Sequence, residues 1–113
     1  MASTPLKRPR NIWIQKEFLL EFKMLNTLEN LVKLARERKS TPVEGSYTNK
    51  LLTDKSLSKA KVLEEVDELI EAVEENSNIT HEAADVFYHL LMYLEANDIK
   101  IEEVMLELEK RKK

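Results

Sequence analysis

Carboxylates at helical spacing dominate the middle of this chain. The run Lys61-Val62-Leu63-Glu64-Glu65-Val66-Asp67-Glu68 carries an E-E-x-x-E pattern, and after thirteen intervening residues Glu82-Ala83-Ala84-Asp85 carries E-x-x-D. Spacings of three and four put side chains on one side of a helix. Two such helices side by side can hold one or two hard divalent cations such as Mg²⁺ among Glu64, Glu65, Glu68, Glu82 and Asp85. Without a counter-ion each like-charge pair costs about 0.2–0.5 kcal/mol even when exposed. A bound ion reverses that penalty and offers open positions to water and a phosphate oxygen. The alternative is a solvated acidic face. The small Ala83-Ala84 step, and the placing of Glu65, Glu68, Glu82 and Asp85 beside apolar seams, favour a site.

Other residues could serve the same chemistry. His89, one turn beyond Asp85, could orient a ligand, meet a phosphate, or be an ordinary histidine. Lys50 follows the loop that holds the chain's one glycine, and Lys61 lies a turn before the acids. Either ammonium could offset phosphate charge. Ser46, Tyr47 and Thr48 add hydroxyl donors, unless that loop is only a connection.

These residues must be positioned by helices. The chain has 113 residues, enough for one domain with a modest core. One glycine and three prolines are too few turn residues for a many-stranded β fold. With no cysteine there is no disulfide, thiolate ligand or thiol nucleophile, which is compatible with a cytosolic setting. Charged residues make up 35% of the chain, yet the net charge is only −3, so no broad field attracts nucleic acid. No apolar run approaches the roughly 20 residues that span a bilayer, and no secretory cleavage pattern is expected.

Residues 1–10 read as a basic, proline-bearing arm, and Asn11–Met24 as a helix with a wide apolar face. The periodicity predicts a helix over Thr27–Lys39 capped by Thr27, with Leu28, Leu31, Val32 and Ala35 on one side. Ser40–Tyr47 is expected to be a loop in which Gly45 supplies either a special backbone conformation or a close approach. A short turn or helix at Thr48–Thr53 leads to Asp54 and Ser56, either of which can cap a helix over Leu57–Glu75. Its apolar seam is Val62, Val66, Leu69, Ile70 and Val73, with Lys61, Glu65, Glu68 and Ala72 along one flank. Asn76-Ser77-Asn78 turns the chain into a helix over Ile79–Glu95. Its seam is Ala83, Phe87, Leu90, Leu91 and Leu94, and Glu82, Asp85 and His89 share a flank. After Asn97-Asp98 a last helix covers Ile101–Lys112, acids early and bases late as its dipole prefers. Short loops imply antiparallel neighbours, and a chain this small needs self-association to cover its seams.

Three segments resemble phosphoribosyl-ATP pyrophosphohydrolase of histidine biosynthesis, within the all-α nucleotide pyrophosphohydrolases. They are Gly45-Ser46-Tyr47-Thr48-Asn49-Lys50-Leu51-Leu52, Lys61-Val62-Leu63-Glu64-Glu65, and Glu82-Ala83-Ala84-Asp85-Val86-Phe87-Tyr88-His89-Leu90-Leu91. The resemblance covers about Leu28 to Arg111. The acidic signature alone would also suit house-cleaning nucleotide pyrophosphatases and dimeric dUTPases. The other segments point to the histidine-pathway branch.

The resemblance implies an all-α antiparallel helical bundle completed by oligomerisation, as a dimer or larger. It implies a cytoplasmic, Mg²⁺-dependent hydrolase that converts phosphoribosyl-ATP and water to phosphoribosyl-AMP and pyrophosphate, the pathway's second step. By position in the motif, Glu64, Glu65, Glu68 and Asp85 would hold metal, and Glu82 would bind metal or position water. Glu65 or Glu82 would activate that water. Lys50, Lys61 and the Ser46–Thr48 loop would meet phosphates, and Tyr88 and His89 match the pattern. Two departures stand out. Leu63 replaces a glycine common in bacterial members, and residues 1–25 have no recognised counterpart beside the domain expected at 26–113. The extension could be an oligomerisation helix or could stand in for a fused partner. Relatives are often joined to a phosphoribosyl-AMP cyclohydrolase, for which this chain lacks the length and the cysteines. Two other hypotheses remain: a pyrophosphohydrolase for damaged or non-canonical nucleotides, and a non-catalytic helical interaction module that uses the Asn11–Phe22 face.

Overall fold

In the computed structural model, residues 26–112 are described. The expected arm, the helix over Asn11–Met24 and the domain boundary at residue 25 lie outside them. The unit that carries the site begins at Leu31, and residues 26–30 belong to a separate unit.

All the regular structure among the described residues is helical. Helix α1 occupies residues 26–40, so Thr27, expected as its cap, lies inside the helix. The loop then reaches Gly45, whose φ of +78° falls in the left-handed region, while a Cβ built there would meet nothing within 4 Å. Of the two roles open to this glycine, the backbone conformation is the one it fills. Ser46 follows as the N-cap of α2, Tyr47–Thr53, its hydroxyl accepting from the Asn49 backbone N–H at 3.2 Å. The ambiguous segment at Thr48–Thr53 is therefore a helix, entered one residue early.

Asp54 begins α3, Lys55–Glu75, its carboxylate accepting from the Leu57 N–H at 3.0 Å. This helix starts two residues before the expected Leu57, and the cap is Asp54 rather than Ser56, which sits within the first turn. Asn76 closes α3 in the left-handed conformation, with φ 54°. Asn78, also left-handed, opens α4, Ile79–Ala96. Asparagine tolerates this region better than other non-glycine residues, which explains how the turn forms without glycine. Helix α5, Ile101–Arg111, follows a turn in which Asp98 has φ 57°.

Helices α3 and α4 pack along each other, antiparallel across the three-residue turn, and α2 packs on both. The core gathers Ala35, Leu51, Leu52 and Met92, with Leu31, Leu57 and Tyr88 against it. Helix α5 buries no residue fully. It is tied down by Arg36, whose guanidinium donates to both Glu102 oxygens at 2.7 Å and to both Glu95 oxygens at 3.3 Å.

The direction in which α3 and α4 face corrects the sequence reading. The flank Lys61, Glu65, Glu68 and Ala72 lies towards the rest of the chain, and of the apolar seam only Val62 and Leu69 are half-buried with it. Glu65 and Ala72 are buried, while Val66, Ile70 and Val73 are exposed. On α4, His89, Met92 and the seam residue Leu91 are buried, whereas Phe87 is 58% exposed and Leu90 is also open. Ser58 of α3 is buried as well. Part of the apolar stripe (Val66, Ile70, Val73, Phe87 and Leu90) is left looking outward.

Candidate metal and phosphate site

The acids converge where the start of α4 crosses the middle of α3. Glu65, Glu68 and Glu82 each place a carboxylate oxygen within 4.8 Å of the other two. Glu65 is only 5% exposed. One oxygen of Glu65 and one of Glu82 are buried with no hydrogen-bond partner among the described residues. Buried polar atoms are nearly always satisfied, and an orphaned carboxylate oxygen is costly. Contact with the Glu65 carboxylate, then desolvation and the charge of Glu82, push the Glu68 carboxyl up to about 7. Three hard oxygen donors, two of them with a buried, unpartnered atom, are the donor set that Mg²⁺ takes.

Other motif acids stand around this centre. Glu64 is exposed, and its carboxylate lies 3.1 Å from the Lys61 ammonium. Lys61 also lies 3.4 Å from Glu65, and the contact with Glu64 holds its proton more tightly than usual. Thus Lys61, expected at phosphates, faces acids in this structure. Asp85 is half-buried and shares a second donor group with Glu82 and His81, again within 4.8 Å.

The expected phosphate loop abuts α4 through side chains. Buried His89 has Nδ1 2.7 Å from the Asp85 carbonyl, so this nitrogen carries the proton and donates. In the neutral ring Nε2 then accepts, and the Tyr47 hydroxyl donates to it across 2.9 Å. Burial raises the affinity of that hydroxyl for its proton. Thr48 and Tyr88 share a hydrogen bond of 2.6 Å. The Tyr47 and Tyr88 rings stack at 6.5 Å, and His89 meets both edge-on. Ser46 accepts from Arg38 at 2.8 Å as well as capping α2. So the three hydroxyls anchor α2 to its neighbours. Lys50, by contrast, is exposed, makes no ion pair among the described residues, and lines an open cleft of about 720 Å³ between the 42–47 loop and α2.

Three side chains at this site were not singled out from the sequence. Asn49 is buried and ties the loop to α1 and α2, donating to the Arg38 carbonyl and accepting from the Val43 N–H, both at 2.8 Å. Ser58 is 1% exposed with an unpartnered hydroxyl. Its signal was its place two turns before Glu65 on the same stripe. His81 signalled itself only by standing four residues before Asp85.

The family model of phosphoribosyl-ATP pyrophosphohydrolase matches residues 28–112. The chain belongs to the phosphoribosyl-ATP pyrophosphohydrolase family. It is 43% identical over 90 residues to phosphoribosyl-ATP pyrophosphatase of Rhizobium johnstonii, an alignment covering 75% of this chain and 82% of that protein. It is 44% identical over 90 residues to the histidine biosynthesis bifunctional protein HisIE of Pyrococcus furiosus, covering 79% of this chain and 43% of the relative. With the chloroplastic bifunctional protein hisIE of Arabidopsis thaliana it shares 38% identity over 92 residues, 77% of this chain and 33% of the relative. The chain thus spans less than half the length of these two bifunctional relatives. The matched region of this pyrophosphohydrolase-family chain contains every acid of the site, the Gly45 loop and all of α2 to α4.

Proposed function

We propose that this chain hydrolyses phosphoribosyl-ATP to phosphoribosyl-AMP and pyrophosphate, the second step of histidine biosynthesis, with Mg²⁺ as cofactor. Family membership supports the reaction. The observation that carries the metal requirement is the pair of buried, unpartnered oxygens on Glu65 and Glu82 beside Glu68.

Glu65, Glu68 and Glu82, with Asp85 next to them, would hold the ion. When bound, it supplies charge neutralisation for the phosphate chain and acidifies water. The rest falls to the chain's own groups. A carboxylate oxygen of Glu82 or Glu65 accepts the proton of the attacking water. The water oxygen bonds to phosphorus, the α–β phosphoanhydride breaks, and the electron pair leaves with pyrophosphate. Lys50 balances phosphate charge from its exposed place beside the cleft, and Tyr47, Thr48, Tyr88 and His89 fix the helix that carries it. Lys61 balances the charge of Glu64 and Glu65. Catalysis of this kind is mainly positioning and electrostatics.

The open apolar faces of α3 and α4 favour a homodimer or larger assembly as the working form. The bifunctional relatives suggest that the chain works beside a phosphoribosyl-AMP cyclohydrolase. The proposed setting is the cytoplasm. The deciding assay follows pyrophosphate release from phosphoribosyl-ATP and from a panel of other nucleoside triphosphates, with and without Mg²⁺. Release from phosphoribosyl-ATP should dominate and should vanish with chelator. Preference for another triphosphate would overturn the substrate, and full activity in chelator would overturn the metal.

A further inference from the structure

The cleft of about 720 Å³ between the 42–47 loop and α2 is lined by none of the acids of the metal centre. Its volume is in the range of ligand pockets, which are largely preformed. This one is held in shape by its own loop. Asn49, only 8% exposed, accepts from the Val43 N–H and donates to the Arg38 carbonyl. Arg38 in turn donates to the Ser46 hydroxyl, and the Ser46 N–H donates to the Val43 carbonyl at 3.1 Å. A buried amide and a guanidinium thus pin the loop wall. Two charged side chains line the cleft, Lys50 from α2 and Glu44 from the loop, and neither makes an ion pair among the described residues. One free ammonium and one free carboxylate suit a sugar phosphate. The ammonium meets phosphate oxygens, and the carboxylate accepts from ribose hydroxyls.

Tyr47 joins this cleft to the acidic centre. Its side chain lines the cleft, and its hydroxyl reaches the Asp85 carbonyl through His89 in two hydrogen bonds. The substrate proposed above has a matching layout. Its triphosphate is cleaved at one end, while its adenine carries a second ribose whose phosphate stays intact in phosphoribosyl-AMP. ATP lacks that second unit. We infer that the cleft seats the phosphoribosyl group, with Lys50 on its phosphate, and that this contact selects phosphoribosyl-ATP over other nucleoside triphosphates. The inference rests on the reaction proposed above. It adds which of the substrate's phosphates Lys50 meets, and it gives the Gly45 loop a place in specificity.

The test compares wild type, Lys50→Met and Lys50→Arg in the presence of Mg²⁺. KM for phosphoribosyl-ATP and the inhibition constant of ATP as its competitor are measured for each. Ribose-5-phosphate is titrated into wild type and Lys50→Met while the backbone amides of Gly45 and Thr53 are followed by NMR, whose spectra also report the fold. The ratio of KM to the ATP inhibition constant should rise at least about tenfold in Lys50→Met, the scale of one hydrogen bond to a charged group. Lys50→Arg should recover most of it. Ribose-5-phosphate should shift the two amides in wild type at concentrations that leave Lys50→Met unmoved. A parallel rise of KM and the inhibition constant would put Lys50 on the triphosphate and overturn the inference. So would no rise in either, or equal amide shifts in the two proteins. A wild type that does not hydrolyse phosphoribosyl-ATP would overturn the proposed reaction itself, and this inference with it.

Discussion

At the scale of single residues, a hydrogen-bond deficit marks the site. Glu65 is buried and one of its oxygens meets no donor among the described residues, and one oxygen of half-buried Glu82 on the facing helix does the same. Glu68 responds by holding its proton up to about 7. A carboxyl raised in the folded state binds more protons than the unfolded chain between its ordinary 4.5 and about 7. Metal-free protein should therefore lose stability as pH climbs through that window. Glu68→Gln and Asp85→Asn should keep the fold and lower Mg²⁺-dependent pyrophosphate release on the order of a hundredfold or more. Because Glu68→Gln also removes repulsion, its metal-free melting temperature at pH 8 should equal or exceed that of wild type. Thermal melts beside turnover of the purified variants check both outcomes. Unchanged turnover would remove these residues from the site. The spacing of the acids made this cluster legible in the sequence. The Tyr47–His89 and Thr48–Tyr88 bonds were not, because they join residues 42 and 40 positions apart through the packing of α2 on α4.

At the scale of elements, caps and turns were readable because their chemistry is local. Asp54 caps α3 through its own carboxylate, and Asn76 ends it in a conformation asparagine accepts. The orientation of α3 was readable only in part: Glu65 and Glu68 do border the packed side, but Val66, Ile70 and Val73 stay open. That helix carries an apolar stripe and an acidic stripe side by side, and periodicity alone does not say which one meets its own chain. Helix α5 is held by the Arg36 fork more than by burial. Arg36 holds the Glu102 carboxyl down to about 2, below its ordinary 4.5. For a depressed carboxyl the stabilisation is fully present above the unfolded value and is lost as pH falls through the folded one. Attachment of α5 should thus weaken between about pH 4.5 and 2, and Glu102→Gln should flatten that part of the stability profile. Melts from pH 7 downwards on the two proteins give the comparison. Identical acid profiles would show that the fork adds nothing.

At the scale of the whole molecule, the apolar surface is the unresolved demand of the fold. Leu63, Val66, Ile70 and Val73 of α3 and Phe87 and Leu90 of α4 are exposed in the single chain. Leu63, read from the sequence as a departure from the family pattern, falls on this open face and not in the acidic centre. Covering a large apolar side chain is worth about 1.5–3 kcal/mol, so a second copy laid on this surface would gain substantially. Light scattering should find a dimer or larger form, and Ile70→Lys with Phe87→Lys should shift it towards monomer. A monomeric wild type at micromolar concentration would contradict the proposed assembly while leaving the acidic centre intact.

The central claim is tested most directly by titrating chelator-treated wild type and Glu65→Gln with Mg²⁺ in a calorimeter. A saturable heat in wild type, weakened by at least about tenfold, or about 1.4 kcal/mol, in the variant is the expected result. No binding by wild type, or equal binding by both, would contradict it.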